Sequence, residues 1–420
     1  MKDDRLITIL RAIIDVKDLT FVRYFSKIPP MIVSPVASER QSPRDRTREE
    51  VFDLIRASRG LTRSALAKAT GLSTSTVGHA VARLLAEGRI VDSTLSAMGR
   101  GTGSGRRAAI LSAVPGNARV GAIDFGHQHF RVAIGDEAGH VIGEKDVRWN
   151  VDDAPVSGLD AACEEIEQLC ERHGVSSLSG VAVGVPGPVE LATGIIRTTT
   201  ILSNWSGMRP AFEVEKRLGV RSIVENDANL GAVGERHYGA GQEHEDFIYV
   251  KAAHGIGAAM VLAGQSYRGG RGFAGEIGHA HVEGRPELCR CGSRGCLEAV
   301  VSVPSVMEQI IHTHPQLEEA TVDLATLTDS VSTRVMNEAG RILGGALSDL
   351  VNLLNPTAVI IGGELGSSGP AFIGGVRSSI NRFAQMPLAS ACVVLPAGLG
   401  TRAELIGALV LAGGLVRPGS

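Results

Sequence analysis

The chain has 420 residues, 44% hydrophobic and 21% charged, with 52 glycines and a formal net charge of −3. At roughly 100–200 residues per domain there is room for two or three domains with cores of their own, and the glycines follow no collagen-like period, which excludes fibre and disorder. Aromatic residues make up only 4%, too few for a protein whose main work is stacking single-stranded nucleic acid. No uninterrupted apolar run reaches the length of about 18 residues needed to span a membrane. Met1 to Arg5 carry acids without the apolar core of a signal peptide. A cytoplasmic protein with no membrane partner is expected.

The small net charge hides an asymmetry. Residues 44–107 hold 12 basic and 6 acidic side chains, whereas residues 108–420 hold 23 and 34. A basic head on an acidic body suggests that the head meets a polyanion. In chain order, residues 1–45 form an N-terminal extension to which no role is assigned. Leu6, Ile9, Leu10, Ile13 and Ile14 fall at helical spacing there before Pro29 and Pro30 break it.

Residues 46–112 read as one unit. A first helix is expected over 48–58, with Val51, Leu54 and Ile55 inward. Thr62 can cap a second helix that stops at Thr70-Gly71. Ser73 can cap a third, with Val77, Val81, Leu84 and Leu85 on its apolar face and Gly88 closing it. Short strands around residues 89–91 and 109–112 then flank a glycine-rich loop. Three helices followed by a basic hairpin make a winged helix-turn-helix. Subtracting the apolar face of the third helix leaves Thr74, Ser75, His79 and Arg83 to approach DNA. Arg100, Arg106 and Arg107 on the wing are suited to a minor groove.

Residues 113–420 alternate short apolar runs with helical stretches, as α/β domains do. Strands are expected at 120–125, 130–134, 181–185, 222–225, 247–252 and 358–361. Polar or glycine-rich turns come after them, where ligands bind in open α/β sheets. Two such strand-and-loop groups far apart suggest two lobes around a cleft. The most specific local signal is His279 with Cys289, Cys291 and Cys296. One imidazole and three thiolates are the donor set of a closed, structural tetrahedral zinc site; His281 is the alternative imidazole. Cys163, Cys170 and Cys392 are spaced irregularly and read as small apolar residues. Glu276 and Glu298 bracket the cysteine loop, and with Asn226 and Asp227 they can accept from several adjacent hydroxyls, as a sugar requires. Asp227 as a helix N-cap and Glu298 as a helix-start acid are the plain structural alternatives.

Together these stretches resemble the ROK (repressor, open reading frame, kinase) family, in its regulator branch with an N-terminal winged helix-turn-helix. The matching runs are Val183 to Pro188, Glu225 to Asn229, Gly275 to His279, and Cys289 to Glu298. The resemblance implies an α/β, actin-like ATPase or sugar-kinase two-lobed fold, preceded by an all-α-plus-wing DNA-binding domain. It implies that Asn226, Asp227, Glu276, His279 and Glu298 contact sugar hydroxyls and that zinc sits on His279, Cys289, Cys291 and Cys296. In members that phosphorylate sugars it makes Asp227 the general base.

Two loops depart from the kinase pattern. Where kinases carry Asp-X-Gly-Gly-Thr this chain has Asp124-Phe125-Gly126-His127-Gln128, and in place of Gly-Thr-Gly-Ile-Gly it has Ala253 to Gly257 with His254. Imidazoles stand where backbone must approach phosphate closely, and Glu364 puts a carboxylate near the expected nucleotide, so ATP is not expected as a cofactor. The wing also has Gly105-Arg106-Arg107 where regulators often carry Gly-Arg-Pro. The expected protein is a sugar-responsive transcriptional regulator, most simply a repressor. It would bind operator DNA as a homodimer or homotetramer and answer to a sugar or sugar phosphate. An ATP-dependent hexose kinase is the alternative, and a constitutive DNA-binding protein with a vestigial pocket is a third possibility.

Overall fold

The computed structural model describes residues 47–48, 51–52, 54–55, 61–92, 110–113, 118–152, 154–198, 203–317 and 322–416. The chain separates into units Met1–Arg48 and Glu49–Ser420. In the first, Thr47 and Arg48 are helical. Every strand described lies in the second.

At the N-terminal end of this second unit the expected caps are in place. Thr62 Oγ1 accepts from Ala65 N at 3.2 Å at the head of helix Arg63–Thr70, and Gly71 ends that helix with φ +68°. Ser73 Oγ accepts from Thr76 N at 3.1 Å at the head of helix Thr74–Ala86. Strands β1 (Ile90–Asp92) and β2 (Leu111–Ala113) pair antiparallel. Val51, Ile55, Leu66, Val77, Val81, Leu84, Ile90 and Leu111 close one small core. Phe52, not singled out by spacing, joins it and carries the Arg89 guanidinium 3.8 Å over its ring.

The body is a topological repeat. The first lobe contains β3 (Arg119–Phe125), β4 (His129–Asp136), β5 (Val141–Arg148), β6 (Gly180–Val185), the small pair β7 (Val189–Glu190) and β8 (Ile195–Ile196), and β9 (Ser222–Asn226). Its sheet runs β5-β4-β3-β6-β9. The first three of these strands are antiparallel neighbours, while β3, β6 and β9 are parallel. The second lobe contains β10 (Phe247–Ala252), β11 (Ile256–Leu262), β12 (Gln265–Tyr267), β13 (Ala358–Gly362) and β14 (Val393–Pro396). It repeats the order as β12-β11-β10-β13-β14, with the same senses. Strands β3, β6, β10 and β13 are nearly continuous apolar runs because each lies inside its sheet with both faces covered.

Two helices join the lobes. Helix Asp227–Tyr238 lays Ala228 and Ala232 against Phe247, Tyr249 and Val261 of the second sheet. Helix Ala403–Gly413 covers the first sheet, with Leu405, Ala408, Leu409 and Ala412 over Val120, Ala122, Ala133 and Ala182. The helices cross where Gly234 faces the Ala403 carbonyl and Gly407 faces the Leu230 carbonyl, contacts that leave no room for a side chain. Among the described residues no helix is long and apolar enough to cross a membrane.

Candidate functional site

On helix Thr74–Ala86, Val77, Ala80, Val81 and Leu84 face inward, and Thr74, Ser75, His79 and Arg83 are exposed as the spacing predicts. Thr76, which the apolar period did not mark out, shares the exposed first turn. His79 Nδ1 is held 2.8 Å from the Ser75 carbonyl oxygen, and Arg83 Nε lies 3.7 Å from Glu87 Oε1. Small hydroxyls on the open N-terminal turn let a helix approach bases and phosphates closely. Arg100, Arg106 and Arg107 lie outside the described residues.

His279, Cys289, Cys291 and Cys296 converge, all four donor atoms lying within 4.8 Å of one another. His279 leaves a short turn, Ile277–His279, and the three sulfurs come from a hairpin closed by Cys289 N to Ser293 O at 2.8 Å. Cys291 Sγ to Cys296 Sγ is 3.6 Å and Cys289 Sγ to His279 Nδ1 is 3.8 Å. Four donors around one ion with metal–sulfur bonds of about 2.3 Å sit about 3.8 Å apart, so the cluster fits a tetrahedral metal. Backbone and side-chain donors around Cys291, Ser293 first, bring its thiol down to about 7, whereas burial raises those of Cys289 and Cys296. The four ligand positions are all protein-supplied, which suits a structural ion. His281, the alternative imidazole, is not in the group.

The cleft between the lobes has a volume of about 1010 Å³, and Asn226, Asp227, Glu276, His279 and Glu298 all line it. Their placement comes from local structure. Asn226 is the N-cap of helix Asp227–Tyr238: its Oδ1 accepts from Asn229 N at 3.2 Å and its Nδ2 donates to the Gly187 carbonyl at 3.1 Å. The cap is therefore Asn226 and not Asp227, because β9 runs one residue further than its apolar run. That leaves the Asp227 carboxylate at the head of the helix, facing the cleft. Glu298 lies in the first turn of helix Leu297–Val301, which Cys296 caps, and its Oε1 lies 3.4 Å from Cys289 Sγ, so the cysteine hairpin sets its position. Lys251, Arg131 and Thr198 also line the cleft and were not found from spacing. Lys251 was detectable as the one charge in the apolar run Phe247–Ala252.

The altered loops meet at the other side of this cleft. The His127 and His254 rings pack with centroids 4.7 Å apart and planes tilted by 40°, the first from the β3–β4 turn and the second from the β10–β11 turn. His127 Nδ1 is 2.9 Å from Asp152 Oδ1; an Arg290 guanidinium N–H meets His254 Nε2, and the same guanidinium lies 3.8 Å from Asp152. Burial, reinforced by His127 and Arg290, pushes His254 down to about 4. The space beside Gly126 is filled by the His129 ring. The imidazoles of His127, His129 and His254 thus stand in or against the two turns in which a phosphate-cradling loop presents open glycine backbone.

A family model described as the ROK family matches residues 120–414, and one described as winged helix-turn-helix DNA-binding matches residues 44–91. The xylose repressor of Bacillus subtilis is 28% identical over 353 residues, 83% of this chain and 89% of its own length. NagC of Escherichia coli, a DNA-binding transcriptional dual regulator, is 27% identical over 347 residues, 79% and 83% of the two chains. A glucokinase from Thermotoga maritima is 26% identical over 302 residues, 68% of this chain and 94% of its own. Among solved structures, a ROK family transcriptional regulator described as a homologue of the E. coli MLC protein aligns with TM-score 0.69 at 22% identity, covering 88% of this chain and 95% of that one. A ROK glucokinase from Streptomyces griseus, bound to glucose and AMPPNP, aligns with TM-score 0.60 at 28% identity, covering 70% and 99%.

Proposed function

Because the chain belongs to the ROK family and carries a winged helix-turn-helix ahead of that domain, we propose that it is a sugar-responsive DNA-binding transcriptional regulator, most simply a repressor. Residues 46–112 form the DNA-binding head and residues 113–420 the sensing body. Thr74, Ser75, His79 and Arg83 meet operator DNA, and Arg100, Arg106 and Arg107 extend the contact from the wing. Two copies of the chain read a two-fold operator. A sugar binds between the lobes on Asn226, Asp227, Glu276, His279 and Glu298. Its binding favours one lobe arrangement, and it alters DNA affinity only by as much as it discriminates between the two arrangements. Zinc on His279, Cys289, Cys291 and Cys296 holds Glu298 and His279 in register and performs no catalysis.

The observation that carries a sensor over a kinase is the composition of one cleft. Acceptors for hydroxyls gather on one side, and a packed pair of histidines occupies the turns that would have to cradle phosphate. Phosphoryl transfer depends on positioning and charge stabilisation of the phosphates, for which these turns are unsuited. The test is a thermal-shift screen with D-xylose, D-glucose, N-acetyl-D-glucosamine and their phosphates, since a ligand selective for the folded state raises the melting temperature. One sugar is expected to raise it, and Glu298→Ala to remove the rise. ADP release with these sugars that disappears in Asp227→Ala would establish the kinase instead.

A further inference from the structure

Lys251 lies in the middle of the body, with no counterpart among the hydroxyl acceptors or the metal ligands. It sits near the end of β10, a central strand, and both of its cross-strand neighbours, Gly257 on β11 and Gly362 on β13, lack side chains. The Tyr249 ring lies over Gly362, and Gly257 faces the Ala228 methyl. Side chains two apart on a strand share a face, so Tyr249 and Lys251 point the same way. Each reaches an acid in the first turn of one of the two helices that join the lobes. Tyr249 Oη donates to Glu404 Oε1 at 2.8 Å, and Lys251 Nζ donates to Asp227 Oδ2 at 2.9 Å. The other Asp227 oxygen accepts from Ala228 N at 2.7 Å. A third carboxylate, Asp124 at the end of β3, is 1% exposed, and its Oδ1 has no hydrogen-bond partner among the described residues.

Three buried acids with one ammonium between them set the electrostatics. Burial alone would discharge Lys251, but Asp227, Glu404 and Asp124 together outweigh it and hold the ammonium charged far above its ordinary range. Each Asp227 oxygen thus accepts one hydrogen bond from the protein, Oδ2 from Lys251 and Oδ1 from Ala228 N.

We propose that Lys251 is a positioning residue: its tethered ammonium is the resident counter-ion of the Asp124–Asp227–Glu404 group and holds Asp227 as a fixed, charged acceptor in the cleft rather than as a base. The role in ligand recognition rests on the sugar-sensing function proposed above; the counter-ion role does not. Lys251 and Tyr249 together tie the first-turn acids of both lobe-joining helices to the central strand of the second lobe.

The experiment is a stability cycle on the full chain with Lys251→Met, Lys251→Arg, Asp227→Asn and the double variant Lys251→Met/Asp227→Asn, each followed by sugar titration. Lys251→Met should lower the melting temperature by roughly 5 °C or more, because one member of a buried ion pair is left alone. Adding Asp227→Asn should recover at least half of that loss. If the single variant does not fold, the double variant should restore folded protein. A double variant no better than Lys251→Met would overturn the counter-ion role, because a lysine used only for packing gains nothing from a neutral residue at position 227. For any sugar that stabilises the wild type, Lys251→Met should weaken binding at least tenfold and Lys251→Arg should retain most of it. Unchanged affinity in Lys251→Met would overturn the positioning role. A wild type that answers to no sugar removes the sensing function, and the stability cycle still decides the counter-ion role.

Discussion

At the scale of single residues, the metal cluster was legible because its information is local. One histidine and three cysteines within 18 positions can meet in a hairpin whatever the rest of the chain does, and the four donors do converge. Zinc analysis of protein purified without chelator should find close to one ion per chain, and Cys291→Ser should lose it together with a large part of the melting temperature. Metal-free wild-type protein of undiminished stability would remove the zinc. Glu404 was not legible: its partners Tyr249 and Lys251 lie more than 150 positions away and meet it only once the lobes have formed. Burial raises its carboxyl from 4.5 to about 7, with Lys251 pulling the other way. The folded chain therefore keeps a proton that the unfolded chain releases above about 4.5. The stability contributed by this group is whole below that pH and is lost as pH rises through about 7, to the extent of roughly 3 kcal/mol. Glu404→Gln, which keeps an acceptor for Tyr249, should gain on the wild type as pH goes from 5 to 8. A melting-temperature difference independent of pH would count against it.

At the scale of elements, the second and third helices of the head were legible in the sequence, while residues 93–109 of its wing lie outside the described residues. Caps, glycine stops and apolar periodicity are short-range signals, and Thr62, Gly71 and Ser73 do what their chemistry dictates. Ser73→Ala should cost about 1 kcal/mol of head stability by leaving an amide of the first turn unpaired, measured by urea unfolding. Strands β5, β11 and β14 escaped notice because their neighbours, and not their own patterns, decide that they pair. The helix crossing was equally invisible: Gly234 and Gly407 look like ordinary helix glycines until each is seen against a carbonyl of the other helix. Gly407→Val should therefore destabilise by about 1–3 kcal/mol through overpacking, with the loss read in denaturant midpoints. Gly345→Ala, in a helix where nothing lies within 4 Å, is the control and should be neutral or better.

For the molecule as a whole, the repeat of one sheet order in two lobes explains how a sensor and a phosphotransferase can share a frame. The lobes supply a cleft, and the turns after β3 and β10 line it. Both histidine substitutions were visible in the sequence as departures from a pattern. Their packing against each other, with Asp152 and Arg290 bracing them, is a tertiary fact. Coupling between distant sites is a free energy of typically 1–3 kcal/mol, so an effector sugar should change DNA affinity by about 5- to 150-fold. The direct measurement is a mobility-shift titration, at fixed salt, of the full chain on a DNA fragment selected from random sequence, repeated with each sugar and sugar phosphate. The account predicts that one of them shifts the midpoint at least fivefold and that Glu298→Ala abolishes the shift while leaving sugar-free DNA binding intact. A midpoint that stays the same with every one of these compounds would contradict it.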